Sequence, residues 1–223
     1  MPEALTIALP KGKLGGEAIN FLAGVGLPTQ DLSTESRRLV FDYPAEGYRY
    51  LICRPTDIPT YVEYGAADLG IVGKDTIVEA AADVFELVDL KFGFCRFMVA
   101  LPQEEWGKAG GEKLDLLSLN HCRVATKFPR VAREYFTSLG MQVEVIKLHG
   151  NIELAPRVGL AEMIVDIVST GRTLQENGLV PVAEIFTATA RLIANRVSFR
   201  LKHPGIQEMA VACKRAVGKG GGA

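Results

Sequence analysis

Apolar residues along this chain fall into short runs and helically spaced stripes that alternate. Leu5-Thr-Ile-Ala-Leu9 is an apolar run closed by Pro10 and Gly12, which predicts a buried strand. Leu14, Ala18, Phe21, Leu22 and Val25 then repeat at helical spacing, with Gly26 as the stop. Arg38 to Tyr43 and Tyr48 to Cys53 read as two strands around a Pro44–Gly47 turn. Pro55 to Tyr64 reads as a helix, Asp68 to Val72 as a strand and Lys74 to Ala82 as a helix. Phe85 to Leu90 and Phe94 to Leu101 are extended runs on either side of Gly93, followed by a polar loop or short helix from Pro102 to Gly111. Strands are expected at Cys122–Thr126, Val143–Leu148 and Met163–Val168, and helices at Pro129–Leu139, Ile152–Val158 and Thr173–Asn177. Val180 to Asn195 is mostly extended, and Gly205 to Ala216 has a helical pattern.

This alternation predicts an α/β protein with parallel sheets. A change of character near residues 90–94, and a return near Gly178, predict two lobes joined by two crossings. The first lobe is expected to span 1–91 plus 179–217 and the second 92–178, with a ligand cleft between them and a disordered tail at 218–223. Composition changes this picture little. The net charge of −1 gives no support for a nucleic-acid or membrane partner, and no apolar stretch reaches membrane-spanning length. Cys53, Cys95, Cys122 and Cys213 form no CxxC pair, and the three histidines have no metal-ligand spacing, so reduced thiols and no structural zinc are expected. The amino-terminal residues have no signal-peptide pattern, which fits a cytoplasmic protein.

The candidate chemistry concentrates in Asp166-Ile-Val-Ser-Thr-Gly-Arg-Thr173. A strand, a tight small-residue turn and a helix start present N–H groups and hydroxyls to an anion. Asp166 has the wrong charge for a phosphate but suits sugar hydroxyls or a metal, so the segment reads as a phosphosugar site. Alternatively Ser169 or Thr170 is a plain helix cap. The loop is neither a Walker A sequence nor a dinucleotide fingerprint. Pro10-Lys-Gly-Lys13 follows the first strand and can hold a polyphosphate, or is a solvated basic turn. Lys11, Lys13, Arg54 and Lys74 each follow a predicted strand, and carboxyl ends of parallel strands face ligand crevices. Arg37 and Arg38 add to these cations. Glu153 could bind a ribose diol or serve as an N-terminal helix acid.

Taken together, Glu153-x5-Gly159-x6-Asp166-Ile-Val-Ser-Thr-Gly-Arg-Thr173 resembles the signature of the ATP phosphoribosyltransferases. Ala8–Lys13, Arg54–Glu63, Gly65–Asp75, Ala125–Pro129 and Leu192–Asn195 extend the resemblance along nearly the whole chain. It implies two α/β lobes of the periplasmic-binding-protein type II kind with a central cleft. It implies transfer of phosphoribosyl from phosphoribosyl pyrophosphate (PRPP) to N1 of ATP, with release of pyrophosphate, as the first step of histidine biosynthesis. Mg²⁺ is implied as carried by substrate rather than by a protein metal site. The resemblance assigns Ser169, Thr170, Gly171, Arg172 and Thr173 to the 5′-phosphate and Glu153 and Asp166 to the ribose hydroxyls. It assigns Lys13 and Arg37 to the pyrophosphate as catalytic cations, and Lys11, Arg54, Lys74 and Asp75 to ATP. Lys13 stands where relatives often carry arginine, which keeps the charge but not the bidentate fork. The length resembles the family's short form, which works with a separate regulatory subunit related to histidyl-tRNA synthetase, and a homodimer is expected. A type I phosphoribosyltransferase usually has two adjacent acids, whereas Ile167 follows Asp166 here. A solute-binding module shares the fold type but needs neither the phosphate loop nor the cation edge.

Overall fold

A computed structural model of the chain describes residues 4–108, 111 and 114–220, the side chain of residue 220 excepted. From the amino terminus come β1 (Leu5–Pro10), α1 (Lys13–Gly24), β2 (Val40–Tyr43), β3 (Tyr48–Cys53), a 3₁₀ turn (Pro55–Asp57), α2 (Ile58–Glu63), β4 (Leu69–Gly73), α3 (Lys74–Ala80) and β5 (Phe85–Asp89). There follow β6 (Cys95–Pro102), α4 (Gln103–Lys108), β7 (Arg123–Thr126), α5 (Pro129–Ser138), β8 (Glu144–Lys147), α6 (Leu154–Arg157), β9 (Met163–Val168), α7 (Arg172–Glu176) and β10 (Leu179–Ala188). The chain ends with β11 (Ala190–Ala194), α8 (Arg196–Leu201) and α9 (His203–Gly220).

Two compact units result, Met1–Phe94 with Thr189–Ala223, and Cys95–Ala188. In the first, the sheet order is β2-β3-β1-β4-β11-β5. The period-2 alternation of β1 and β4 divides their side chains between two helical layers. Leu5, Ile7, Leu9, Leu69 and Ile71 pack with Ala18 and Leu22 of α1 and Ile206, Met209 and Cys213 of α9. Ala8 and Val72 face the other way, against Ile58 and Val62 of α2 and Ile77 of α3. Fully buried side chains such as Ile7, Leu9 and Leu22 each contribute about 1.5–3 kcal/mol relative to exposure.

The second unit has the order β10-β6-β9-β7-β8. On one face Met98, Ala125, Ile164 and Val168 pack with Ile152, Ala155 and Leu174. Elsewhere Phe97 meets Phe128 and Phe186 with ring centroids 4.7 and 4.8 Å apart.

Both sheets are mixed, not parallel as the alternation suggests. β3, β1 and β4 run parallel, as do β8, β7 and β9. β2 forms a hairpin with β3, and β11 runs antiparallel to β4 and β5. β6 runs antiparallel to both β9 and β10. The short turn between β2 and β3 dictates the hairpin, because parallel neighbours need a long crossover. Strand β10, which the sequence reading gives to the first lobe, belongs to the second unit through its ladder with β6. Of the expected tail at 218–223, residues 218–220 belong to α9, and residues 221–223 lie outside the described ones. Helix α8 has no sequence expectation. It starts at Asn195, whose side chain accepts from the N–H groups of Val197 and Ser198.

Candidate active site

The loop after β9 shapes one cavity. Alternation along β9 puts Asp166 on the same face as Ile164 and Val168, which are core residues. Its carboxyl is therefore half-buried against an apolar layer, and burial pushes its pKa up to about 6. The Glu153 carboxylate raises it further, while the Ile167 N–H, donating at 2.8 Å, and the Lys127 charge oppose the rise. Beyond Val168 the chain bends through Ser169 and Thr170 to Gly171, whose φ of 79° is a left-handed conformation that glycine adopts without strain. Gly171 immediately precedes α7 and has no side chain to cap it. The Arg172 N–H lies 3.5 Å from Thr170 Oγ1, a weak contact at best. The first N–H groups of α7 have no carbonyl within the helix to bond. The loop hydroxyls line a concavity of about 350 Å³ together with Glu153, Asp166, Gly171 and Leu174. Arg172 does not line it; its guanidinium is turned to Glu176 at 2.7 Å.

A second cavity, of about 380 Å³, lies in the first unit. The register of β1 pairs Pro10 with Cys53 and Ala8 with Gly70, so the carboxyl ends of β3, β1 and β4 share one edge. Lys11, Lys13, Arg54 and Lys74 all follow these ends. Lys11 and Arg54 line the cavity, with apolar walls from Leu39, Val40 and Leu51. Asp57 and Tyr61 also line it, and the sequence reading gave them no role. Tyr61 is visible only once the 3₁₀ turn and α2 place one turn of helix beside Arg54. Cys53 sits in the wall with burial pushing its thiol up to about 11, so it remains a thiol near neutral pH.

The other expected cations are less convergent. Lys13 opens α1 with its side chain 89% exposed, 3.9 Å from Glu17. Arg37 is exposed. Lys74 is ion-paired with Glu86, and Asp75 folds its carboxylate back over the Gly73 backbone. None of these four lines either cavity. Among the described residues no group of three or more His, Cys, Asp or Glu could hold a metal ion. No helix of the described residues is long and apolar enough to cross a membrane.

Comparison with known proteins places these features in a family. The sequence profile of the ATP phosphoribosyltransferases matches residues 54–215. The ATP phosphoribosyltransferase of Moorella thermoacetica is 65% identical over 217 residues, covering 97% of this chain and 95% of the relative. A solved chain of the ATP phosphoribosyl transferase (HisG:HisZ) complex from Thermotoga maritima superposes with a TM-score of 0.79 at 31% identity, covering 96% of this chain and 99% of that one. The periplasmic aliphatic sulphonate binding protein SsuA from Escherichia coli shares the fold alone, with a TM-score of 0.59 at 15% identity over 97% of this chain and 73% of its own. With the profile covering well over half of the sequence and the relatives matching almost end to end, the chain belongs to the ATP phosphoribosyltransferase family.

Proposed function

We propose that the two cavities divide the work of the family's reaction, with the loop cavity taking PRPP and the first-unit cavity taking ATP. The carrying observation is the loop cavity itself, where backbone N–H groups, hydroxyls and two carboxylates converge at the end of β9. The N–H groups of Gly171 to Thr173 and the hydroxyls of Ser169, Thr170 and Thr173 hold the 5′-phosphate. Asp166 and Glu153 accept hydrogen bonds from the ribose hydroxyls. Lys11 and Arg54 hold the ATP phosphates, with Lys74 and Asp75 following β4 at the same strand edge.

Adenine N1 attacks C1 of the ribose with its own lone pair, the bond from C1 to the pyrophosphate oxygen breaks with inversion, and the pyrophosphate leaves as an anion. No strong general base is required. The barrier lies in charge: positive on an oxocarbenium-like ribose, negative on the departing group. The acid pair suits the first, and Lys13 and Arg37 suit the second. Mg²⁺ fits this site as an ion carried by the substrate: Glu153 and Asp166 repel one another, and Mg²⁺ is usually held by one or two carboxylates plus phosphates. Bound there, it supplies charge neutralisation of the pyrophosphate.

The reaction's place in histidine biosynthesis assigns the protein to the cytoplasm. The Thermotoga neighbour comes from a complex with HisZ, and a corresponding regulatory subunit, related to histidyl-tRNA synthetase, is the proposed partner. Incubating the purified chain with ATP, PRPP and Mg²⁺, with and without that subunit, tests the reading through product absorbance. PRPP consumed with a free base but not with ATP would overturn it in favour of a type I phosphoribosyltransferase.

A further inference from the structure

The loop cavity carries a charge problem. Its lining includes two carboxylates, Glu153 and Asp166, and neither lysine nor arginine. Arg172, the cation within the loop sequence, is held by Glu176 and stands largely in solvent. Arg157 of α6 reaches toward Asn177. A phosphate monoester carries about 1.5–2 negative charges near neutral pH, so two acids beside it call for a positive group.

Lys127 stands at the right position. It is the first residue beyond β7, which lies parallel to β9 with Thr126 opposite Val165. One further step along both chains brings Lys127 level with Asp166. The strand end from which it projects is fixed. Thr126 is fully buried, its Oγ1 accepts from the Phe128 N–H at 2.9 Å, and its carbonyl accepts from the Leu148 N–H at 2.9 Å. Phe128 and Pro129 are buried, whereas Lys127 is exposed, with its ammonium 5.9 Å from the Phe128 ring centroid. The Lys127 charge is felt at the Asp166 carboxyl. A lysine on a rigid strand end, level with the acid of an acid-lined anion cavity, has the geometry of a ligand cation.

We propose that Lys127 is a further substrate-binding cation, contacting a phosphate of the PRPP held at the Asp166–Thr173 loop. This rests on the reading of that loop as the PRPP site. Lys127 also offsets the two carboxylates, so that an anionic substrate and its acidic hydroxyl acceptors can share one cavity.

The test is calorimetric titration of the full chain, with Mg²⁺, using PRPP, ribose 5-phosphate, inorganic pyrophosphate and ATP. Wild type is compared with Lys127→Met, Lys127→Arg and the loop variant Gly171→Val. Lys127→Met is expected to weaken PRPP by about tenfold to a hundredfold, the range for losing a contact to a charged group. ATP affinity stays unchanged, and Lys127→Arg restores most of the loss. A matching loss for ribose 5-phosphate assigns the contact to the 5-phosphate, and one for pyrophosphate assigns it to the leaving group. PRPP affinity unchanged in Lys127→Met but lost in Gly171→Val overturns the role of Lys127 while leaving the loop assignment standing. PRPP affinity unchanged in both overturns the loop assignment and the proposal with it. Equal weakening of PRPP and ATP in Lys127→Met marks a structural residue and also overturns the proposal.

Discussion

Replacing Asp166 by Asn should make the substrate-free protein more stable at pH 8 and nearly inactive. Burial holds the Asp166 pKa at about 6, against 3.8 for an unperturbed carboxyl. Between those values the folded state keeps a proton that the unfolded chain has released. Stability therefore falls as pH rises through this window, being fully present below 3.8 and lost above about 6. A separation of roughly two pH units at about 1.36 kcal/mol each gives about 3 kcal/mol as an upper bound. Because the carboxyl is only half-buried, about 1–3 kcal/mol is the working range. Asparagine can still accept from the Ile167 N–H and carries no charge to desolvate or to face Glu153. In a chain of this size that difference corresponds to a Tm higher by about 2–10 °C at pH 8. The assay is thermal unfolding of both proteins from pH 4 to pH 8, read as the difference between them, in which the titration of shared groups cancels. The curves should converge near pH 4 and separate through pH 6. A constant gap, or a less stable variant at pH 8, would refute the reasoning. The pH profile of wild-type kcat/KM for PRPP should show an acid limb near pH 6 that the variant lacks, since this ratio reports the free enzyme's groups. Gain of stability with loss of activity is the pattern expected of a residue kept for function.

Lys13→Ala should lower kcat by about a hundredfold, the scale of losing one charge-stabilising group, with Tm unchanged because the side chain is 89% exposed; unchanged kcat would sink its assignment to the leaving pyrophosphate. Asn195→Ala should destabilise by about 1.5–3 kcal/mol, from a lost helix cap and two carbonyls that lose the Asn195 amide, of which Val62 O keeps the Gly65 N–H. Those carbonyls are Val62 O and Glu63 O, now 2.8 and 2.9 Å from Asn195 Nδ2. Urea unfolding checks this, and a loss under 1 kcal/mol, the size of a cap alone, would contradict it. Gly15→Ala should cost about 1–3 kcal/mol or more, because its new Cβ would stand 1.9 Å from Pro10 O and 2.5 Å from Thr34 Cγ2. A Tm equal to wild type would show that α1 moves freely away from β1.

Much of this was legible in the sequence, for identifiable reasons. Short apolar runs closed by glycine or proline became strands, and Met163–Val168 was read with the bounds it has. Strand direction was not legible, since periodicity carries no information on whether neighbours run parallel. The β10 ladder with β6 depends on pairing between segments far apart in sequence. At the site, the strand–loop–helix motif was readable because a local turn determines it. Tyr61 and Asp57 were not, because their meeting with Arg54 and Lys11 depends on how α2 packs beside two sheet strands. Lys127 stands in the sequence only as part of the Ala125–Pro129 motif; the β7–β9 register is what brings it level with Asp166. The sequence presents Lys74 as a free strand-end cation, but its pairing with Glu86 requires β5 to lie nearby, which no local pattern reveals.

The distribution of charge links the fold to the chemistry. Cations follow the ends of β1, β3 and β4, and Lys11, Lys13 and Arg54 among them are exposed. The acids of the loop cavity are different: Asp166 sits on the core face of β9, where an apolar residue would cost less. On the proposed reading, carboxylates already held in place at the ribose need no reorganisation as positive charge develops there. The raised pKa of Asp166 is then the cost of that placement. A ribose hydroxyl pair donating to the carboxylate, or a cation beside it, would favour the charged form and draw the pKa back down. PRPP binding should therefore release protons when measured near pH 6 and release almost none at pH 8, which calorimetry in buffers of different ionisation enthalpy can read directly.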